Sequence, residues 1–318
     1  MAIKFSALAA SLALVAPALA QSVNGADYNH PTAGPPASFF AASSTVPVAA
    51  LKSAAAKASV AAKDSTYPVN GDSGAAKSTI HGDWSGFSEG AAFVWVADMD
   101  VDCDGLDYKC KGNPDGQPGT NFGALAAYEV PFIVIPDKFA TTYQSVLPGN
   151  NVGAVICNGK MFYGIFGDTD GDTPQVIGEA SWLMARTCFP NDDLNGNSGH
   201  GAVDVTFVED IMFTGRDAVL PSSALNNNYI TNFSTLRSIG DRLVTALAKN
   251  LNLISGGGSP TTLTTTTSAS GSSPTGTTCE WAGHCEGESQ LIKEPDECQV
   301  THQSAANTRK IYREFLLF

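Results

Sequence analysis

The chain has 318 residues, with 31 acidic against 18 basic and a formal net charge of −13. Such a surface repels nucleic acid and anionic membranes and concentrates a polycation, although acidity also serves plain solubility. Beyond the first twenty residues no run reaches the roughly 18 apolar residues of a membrane span, which argues against a membrane-embedded protein.

In chain order, the first feature is an export signal. Lys4 precedes an apolar run over 5–15, and Ala18-Leu19-Ala20 supplies a small-x-small cleavage site. Residues 1–20 are therefore expected to be a signal peptide, and the product to be secreted and extracellular. Residues 21–78 are rich in Ala, Ser and Pro and read as a propeptide or flexible leader. Residues 79–254 hold enough chain for one core. Gly256-Gly257-Gly258-Ser259-Pro260 opens a Thr/Ser-rich linker over 255–278, and 279–318 reads as a truncated or aberrant Cys-containing tail.

Within 79–254 the expected strands are Ala92–Ala97, 124–130, 132–135, Val152–Cys157, 161–166 and 203–208. They are short, β-branched or aromatic, and bounded by Gly, Asn, Asp and Pro. Asn158-Gly159 is a tight hairpin signal. Pro136-Asp137 opens a short helix carrying Phe139, Tyr143 and Val146, and Leu236, Ile239, Leu243, Leu247 and Leu251 follow helical spacing. The expected class is mainly β (α+β): a small six-stranded barrel-like core, with the double-psi type as its candidate form, and a few helices. Asn232-Phe233-Ser234 is a glycosylation sequon ahead of the last helix, which suggests an exposed site. Cys103, Cys110, Cys157 and Cys188 can form two disulfides in an oxidising compartment, in a pairing left open. Zinc fits poorly, since neither spacing nor nearby histidines resemble a ligand set.

Two acidic stretches carry the candidate chemistry: Asp98 to Gly105, and Gly167 to Ser181. Calcium is the rival for both. The first opens like an EF-hand loop but puts Lys111 at its twelfth position; the second puts Thr173 where the loop needs Gly. Glycoside hydrolysis requires two carboxyl groups in unequal environments. Asp170 lies in a Gly/Asp-rich loop where solvent would keep it ionised. Glu179 lies among Val176, Ile177, Ala180 and Trp182, which would favour its protonated form. That contrast makes Asp170 the base and Glu179 the acid; the bland alternative is that Glu179 starts a helix. A Gly-x-Ser-x-Gly elbow and a phosphate-cradling loop are both absent, and His200 has no evident nucleophile partner.

At these residues the sequence resembles the fungal endo-chitosanases of glycoside hydrolase family 75. The resemblance is carried by Ala97-Asp98-Met99-Asp100-Val101-Asp102-Cys103-Asp104-Gly105, Tyr128-Glu129-Val130-Pro131-Phe132, Tyr163 to Asp172, and Ile177-Gly178-Glu179-Ala180-Ser181. It implies endo-hydrolysis of β-1,4 bonds in chitosan with inversion, Asp170 and Glu179 as catalytic pair, no cofactor and no metal. Chitosan would be the partner, with neither nucleic acid nor membrane involved and the protein a monomer. Asp98, Asp100, Asp102, Asp104, Asp168 and Asp172 are the candidate contacts to its cationic sugars. Trp95 and Tyr163 are candidate stacking faces, against which core packing competes. Alternation along a strand is expected to keep the four aspartates of the first stretch from serving together. The alternative function is a non-catalytic chitosan-binding or wall-loosening protein.

Overall fold

The computed structural model describes residues 22–196, 199–200 and 208–254. The expected signal peptide, linker and tail, and residues 203–207 of the last expected strand, lie outside the described residues. Among these, ten strands form one sheet: β1 (Ala61–Pro68), β2 (Lys77–His81), β3 (Ala92–Ala97), β4 (Met99–Asp102), β5 (Phe132–Pro136), β6 (Val152–Cys157), β7 (Lys160–Asp170), β8 (Glu179–Ser181), β9 (Gly199–His200) and β10 (Val208–Phe213). Four α-helices accompany them: α1 (Val48–Ala55), α2 (Asp137–Thr142), α3 (Trp182–Cys188) and α4 (Phe233–Asn250). The class is mainly β with a few helices, as expected.

The pairing order is β1-β2-β3-β10-β6-β7-β5-β8-β4-β9. Most pairs are antiparallel, but β5 runs parallel to β7 and β4 parallel to β8. Strands β3 and β4 are separated by Asp98 alone, yet five strands stand between them in that order. Strand β6 is buried along its whole length and β3 almost so, which explains their unbroken apolar sequences. The Asn158-Gly159 turn joins β6 to β7 with both residues at positive φ, 50° and 70°, the geometry such two-residue hairpins require.

Helix α4 packs on β6 and β7 through Phe233, Leu236, Leu243, Val244 and Leu247. Asn232 caps it, accepting the Thr235 N–H at 3.1 Å; the sequon side chain is thus half-buried at a helix start rather than freely exposed. Two disulfides, Cys103–Cys110 and Cys157–Cys188, tie the acidic loop and the β6–α3 junction. The expected strand over 124–130 is instead a buried loop. Its N–H groups go to Asn227 and Asn228 carbonyls and to its own turn, so the apolar run satisfies its backbone without a strand ladder.

The expectation of a flexible leader over 21–78 is also corrected. Residues 22–78 contain α1, β1 and part of β2, and bury Phe40, Leu51, Tyr67 and Val69 in the main core. The Phe40 carbonyl accepts the Tyr163 N–H at 2.8 Å, and the Ala42 N–H donates to Met161 at 2.9 Å. Further upstream, the Pro31 carbonyl accepts Trp182 Nε1 at 3.0 Å. Large apolar residues are few here but widely spaced, so composition hides how many reach the core. Lys52 of α1 pairs at 3.2 Å with Glu209 of β10, which is only 4% exposed. Lys52→Met would leave that buried carboxylate without its cation. The variant is expected to lose about 1–3 kcal/mol in urea denaturation, with Glu209→Gln in the same background recovering part of it. Unchanged stability would show that the pair contributes nothing.

Candidate active site

Gly178 decides how the second acidic stretch meets the first. It sits at φ 114°, and a Cβ there would lie 2.3 Å from the Asp98 carbonyl oxygen. Its own carbonyl accepts the Asp100 N–H at 3.0 Å. Only glycine lets the two chains pass so close, and the parallel pairing of Asp100 with Glu179 follows from it. Glu179 therefore opens strand β8. It does not begin a helix: α3 starts at Trp182, and Ser181 is its N-cap, accepting the Met184 N–H at 3.3 Å.

Along β4, Met99 and Val101 are buried while Asp100 and Asp102 are half-buried on the other face. Asp98 continues that alternation. The expected division of the aspartates is thus corrected, because residues spaced by two share a face. Asp104 stands apart for a different reason. It lies past the end of β4, and its carboxylate accepts the Gln117 N–H at 2.8 Å, fastening a loop.

The register carries this face across the sheet. Ile133 faces Ala180 in the antiparallel β5–β8 pair, so one step along sets Val134 beside Glu179. Val134 in turn faces Asp168 of β7. Asp168, Val134, Glu179 and Asp100 thus form one row, with Asp170 two residues beyond Asp168 on the same side of β7. Sheet pairing makes neighbours of Asp100 and Glu179, which are 79 positions apart in sequence.

Burial dominates the electrostatics of this face. Asp100 is pushed up to about 7 by burial and by Asp98. Asp168, 5% exposed, is also pushed up to about 7 by burial, although the N–H groups of Asn121 and Thr169 donate to it at 2.9 and 2.8 Å and oppose the shift. Glu179 is raised well above the usual range by burial, then by Asp102, Asp170, Asp100 and Asp168. Asp102 is raised likewise, by burial and then by Asp168 and Asp104.

Asp170 differs from its sequence expectation in mechanism. It is 9% exposed, so solvent is not what supports its charge. Two backbone donors do this instead: the Asp172 N–H at 2.9 Å and the Val176 N–H, one on each carboxylate oxygen. Burial still raises its pKa, and these two bonds hold the rise back. Asp172 itself is exposed in the turn after β7.

Trp95 and Tyr163 are not sugar-stacking faces. Trp95 is 1% exposed within β3. Tyr163 is fully buried under α4, where a Cβ on Gly240 would come within 2.5 Å of its ring and where its hydroxyl donates to Asp241 at 2.7 Å. Both lie in strands covered on two sides, so aromatic character signals core here. Neither acidic stretch forms a helix–loop–helix, and among the described residues no three His, Cys, Asp or Glu side chains are arranged to hold a metal ion.

Two residues were missed in the sequence, Asn121 at the site and Glu129 in the core. Asn121 positions Asp168 through its N–H and Thr169 through its side chain, at 2.6 Å; a polar loop residue gives no local sign of this. Glu129 is completely buried, accepts the Ile230 N–H at 2.9 Å and is pushed up to about 8 by burial. Its signal was an isolated acid in an apolar run.

Residues 99–246 match the family model of fungal chitosanases of glycosyl hydrolase group 75. An endo-chitosanase C of Aspergillus oryzae is 67% identical over 284 residues, covering 89% of this chain and 73% of that protein. An endo-chitosanase B of Aspergillus oryzae is 37% identical, covering 52% and 77%. An endo-chitosanase of Aspergillus fumigatus is 36% identical, covering 56% and 81%.

The carboxyl row has a consequence for stability. Asp100 and Asp168 have folded-state pKa values near 7 against an ordinary 3.8. Between those values the folded state binds more protons than the unfolded state, so stability is fullest below about pH 4 and declines as pH rises to about 7. Asp64, lowered by Lys138, acts below that window. Thermal unfolding is expected to show a higher Tm at pH 4.5 than at pH 8, with a smaller difference in Asp168→Asn. A Tm that climbs steadily over this range would contradict the assignment.

Proposed function

The chain belongs to the fungal chitosanases of glycosyl hydrolase group 75, and from that premise we propose how it cleaves chitosan: by endo-hydrolysis of β-1,4 bonds with inversion, Glu179 as general acid and Asp170 as general base. It is a glycoside hydrolase. The observation that carries the assignment of roles is the unequal support of the two groups on one face. Asp170 has a backbone donor on each oxygen, which favours the ionised form. Glu179 is buried beside acids of β4, with those of β7 two strands away on the same face, and both effects favour the protonated form.

Glu179 gives its proton to the glycosidic oxygen as the C1–O bond breaks. Asp170 takes a proton from the water that attacks C1 from the opposite face, and the new C1–OH bond has inverted configuration. Asp98 and Asp100 complement the ammonium groups of deacetylated sugars. Binding those cations lets the aspartates ionise without mutual repulsion, which supports selection of glucosamine units.

Further parts of the reading rest on similar support. A closed six-stranded core is favoured by the return of the pairing path: from β3 through β10, β6, β7, β5 and β8 it reaches β4, the continuation of β3. Secretion is favoured by the two disulfides, which persist in oxidising compartments, and by the signal-like start. No helix among the described residues is long and apolar enough to cross a membrane. We take the catalytic domain to act as a monomer, to start upstream of residue 79 because of the packing of 22–78, and to end near residue 254.

An NMR time course of the anomeric signals on chitosan oligomers tests stereochemistry directly, and the α anomer is expected first. Glu179→Gln is expected to lower kcat by about 10²–10⁴-fold while polymer binding is retained. Normal turnover by that variant, or a β anomer as first product, would overturn this division of roles.

A further inference from the structure

Inverting hydrolysis leaves one proton misplaced. After each turnover Asp170 holds the proton taken from water and Glu179 has lost its own, so the acid must be reprotonated before the next cleavage. We infer that Asp102 is a positioning residue for that step: its carboxyl and the Glu179 carboxyl hold the acid's proton between them. The inference rests on the reading of Glu179 as general acid.

Several observations converge on Asp102. It lies on the half-buried face of β4, two residues beyond Asp100, which is the register partner of Glu179. Of the four carboxylates that act on Glu179, Asp102 acts most strongly. Its Oδ1 accepts the Asp104 N–H at 2.6 Å, which fixes the group and leaves Oδ2 as the oxygen that can share a proton. Asp168 lies on β7, two strands from Glu179 in the pairing order, whereas Asp102 lies on the adjoining strand β4.

Among the described residues the groups around Asp102 are mostly acidic. Asp98, Asp100 and Asp104 flank Asp102 along the chain, and Asp168 and Asp170 face it from β7. On the other flank, β9 brings His200 to the register position of Met99. Among the described residues no lysine or arginine forms an ion pair with any of these carboxylates; the three ion pairs involve Glu209, Asp193 and Asp64. Two carboxyl groups held together without a cation cannot both ionise cheaply, and they titrate as a pair. The first proton added to the pair is held tightly, which keeps the acid protonated at a pH where an isolated glutamate would be ionised.

The test is the pH dependence of kcat/KM on one chitosan oligomer for the unaltered enzyme, Asp102→Asn, Asp102→Glu and Glu179→Gln. Asparagine keeps an acceptor for the Asp104 N–H but removes the shared charge. Its alkaline limb is expected to move down by about one pH unit or more, and Asp102→Glu is expected to move it back. The substrate's amines are common to all variants, so they cancel in the comparison. A uniform loss at every pH with the limb unmoved would mean a structural role and would overturn the inference. Normal turnover by Glu179→Gln would instead defeat the underlying assignment of the acid. Should Asp102→Asn fail to fold, ¹³C-carboxyl NMR of the unaltered enzyme decides: two linked titration steps for Asp102 and Glu179 support the pair, and independent single steps refute it.

Discussion

Like charges without a counter-charge are the constraint on which this site depends. Strands β4, β8 and β7 place Asp100, Asp102, Glu179, Asp168 and Asp170 on one face, and among the described residues none of them has an ion-pair partner. Each carboxylate removed from water in such company is costly to ionise. The fold answers in two ways. Backbone N–H groups are aimed at Asp168 and Asp170 and hold back their rise, and burial leaves every member of the group with a raised pKa.

The same logic separates Asp170 from Glu179. Asp170 and Glu179 are nine positions apart in sequence and joined by a turn that returns the chain toward β4. The turn itself donates to Asp170 through Asp172 and Val176, so the loop that connects the pair also stabilises one member's charge. Among the described residues Glu179 receives no comparable donor, and it lies beside acids contributed by β4. Unequal environments arise from one segment because its first half folds back on Asp170 while its second half joins another strand.

The N-terminal segment belongs to the same structure. Phe40 and Leu51 enter the core, Lys52 neutralises Glu209, and Pro31 accepts a hydrogen bond from Trp182, the first residue of α3. That helix follows β8 directly, so the strap over 22–35 supports the element that anchors Glu179. A segment whose composition looks disordered thus helps to hold the site in place.

What the sequence determined by itself was local. Unbroken apolar runs marked β3 and β6, Asn158-Gly159 marked the β6–β7 hairpin, and leucine spacing marked α4. What the tertiary structure decided was everything set by partners distant in the chain. Tyr163 became core because α4 covers it, and Trp95 is buried within a strand paired on both edges. The run over 124–130 stayed a loop because its backbone found Asn227 and Asn228 rather than a strand. Glu179 became a strand residue because Gly178 fits against the Asp98 carbonyl. Propensity and spacing act over a few residues, whereas burial and charge at a site sum over neighbours that only the folded chain brings together.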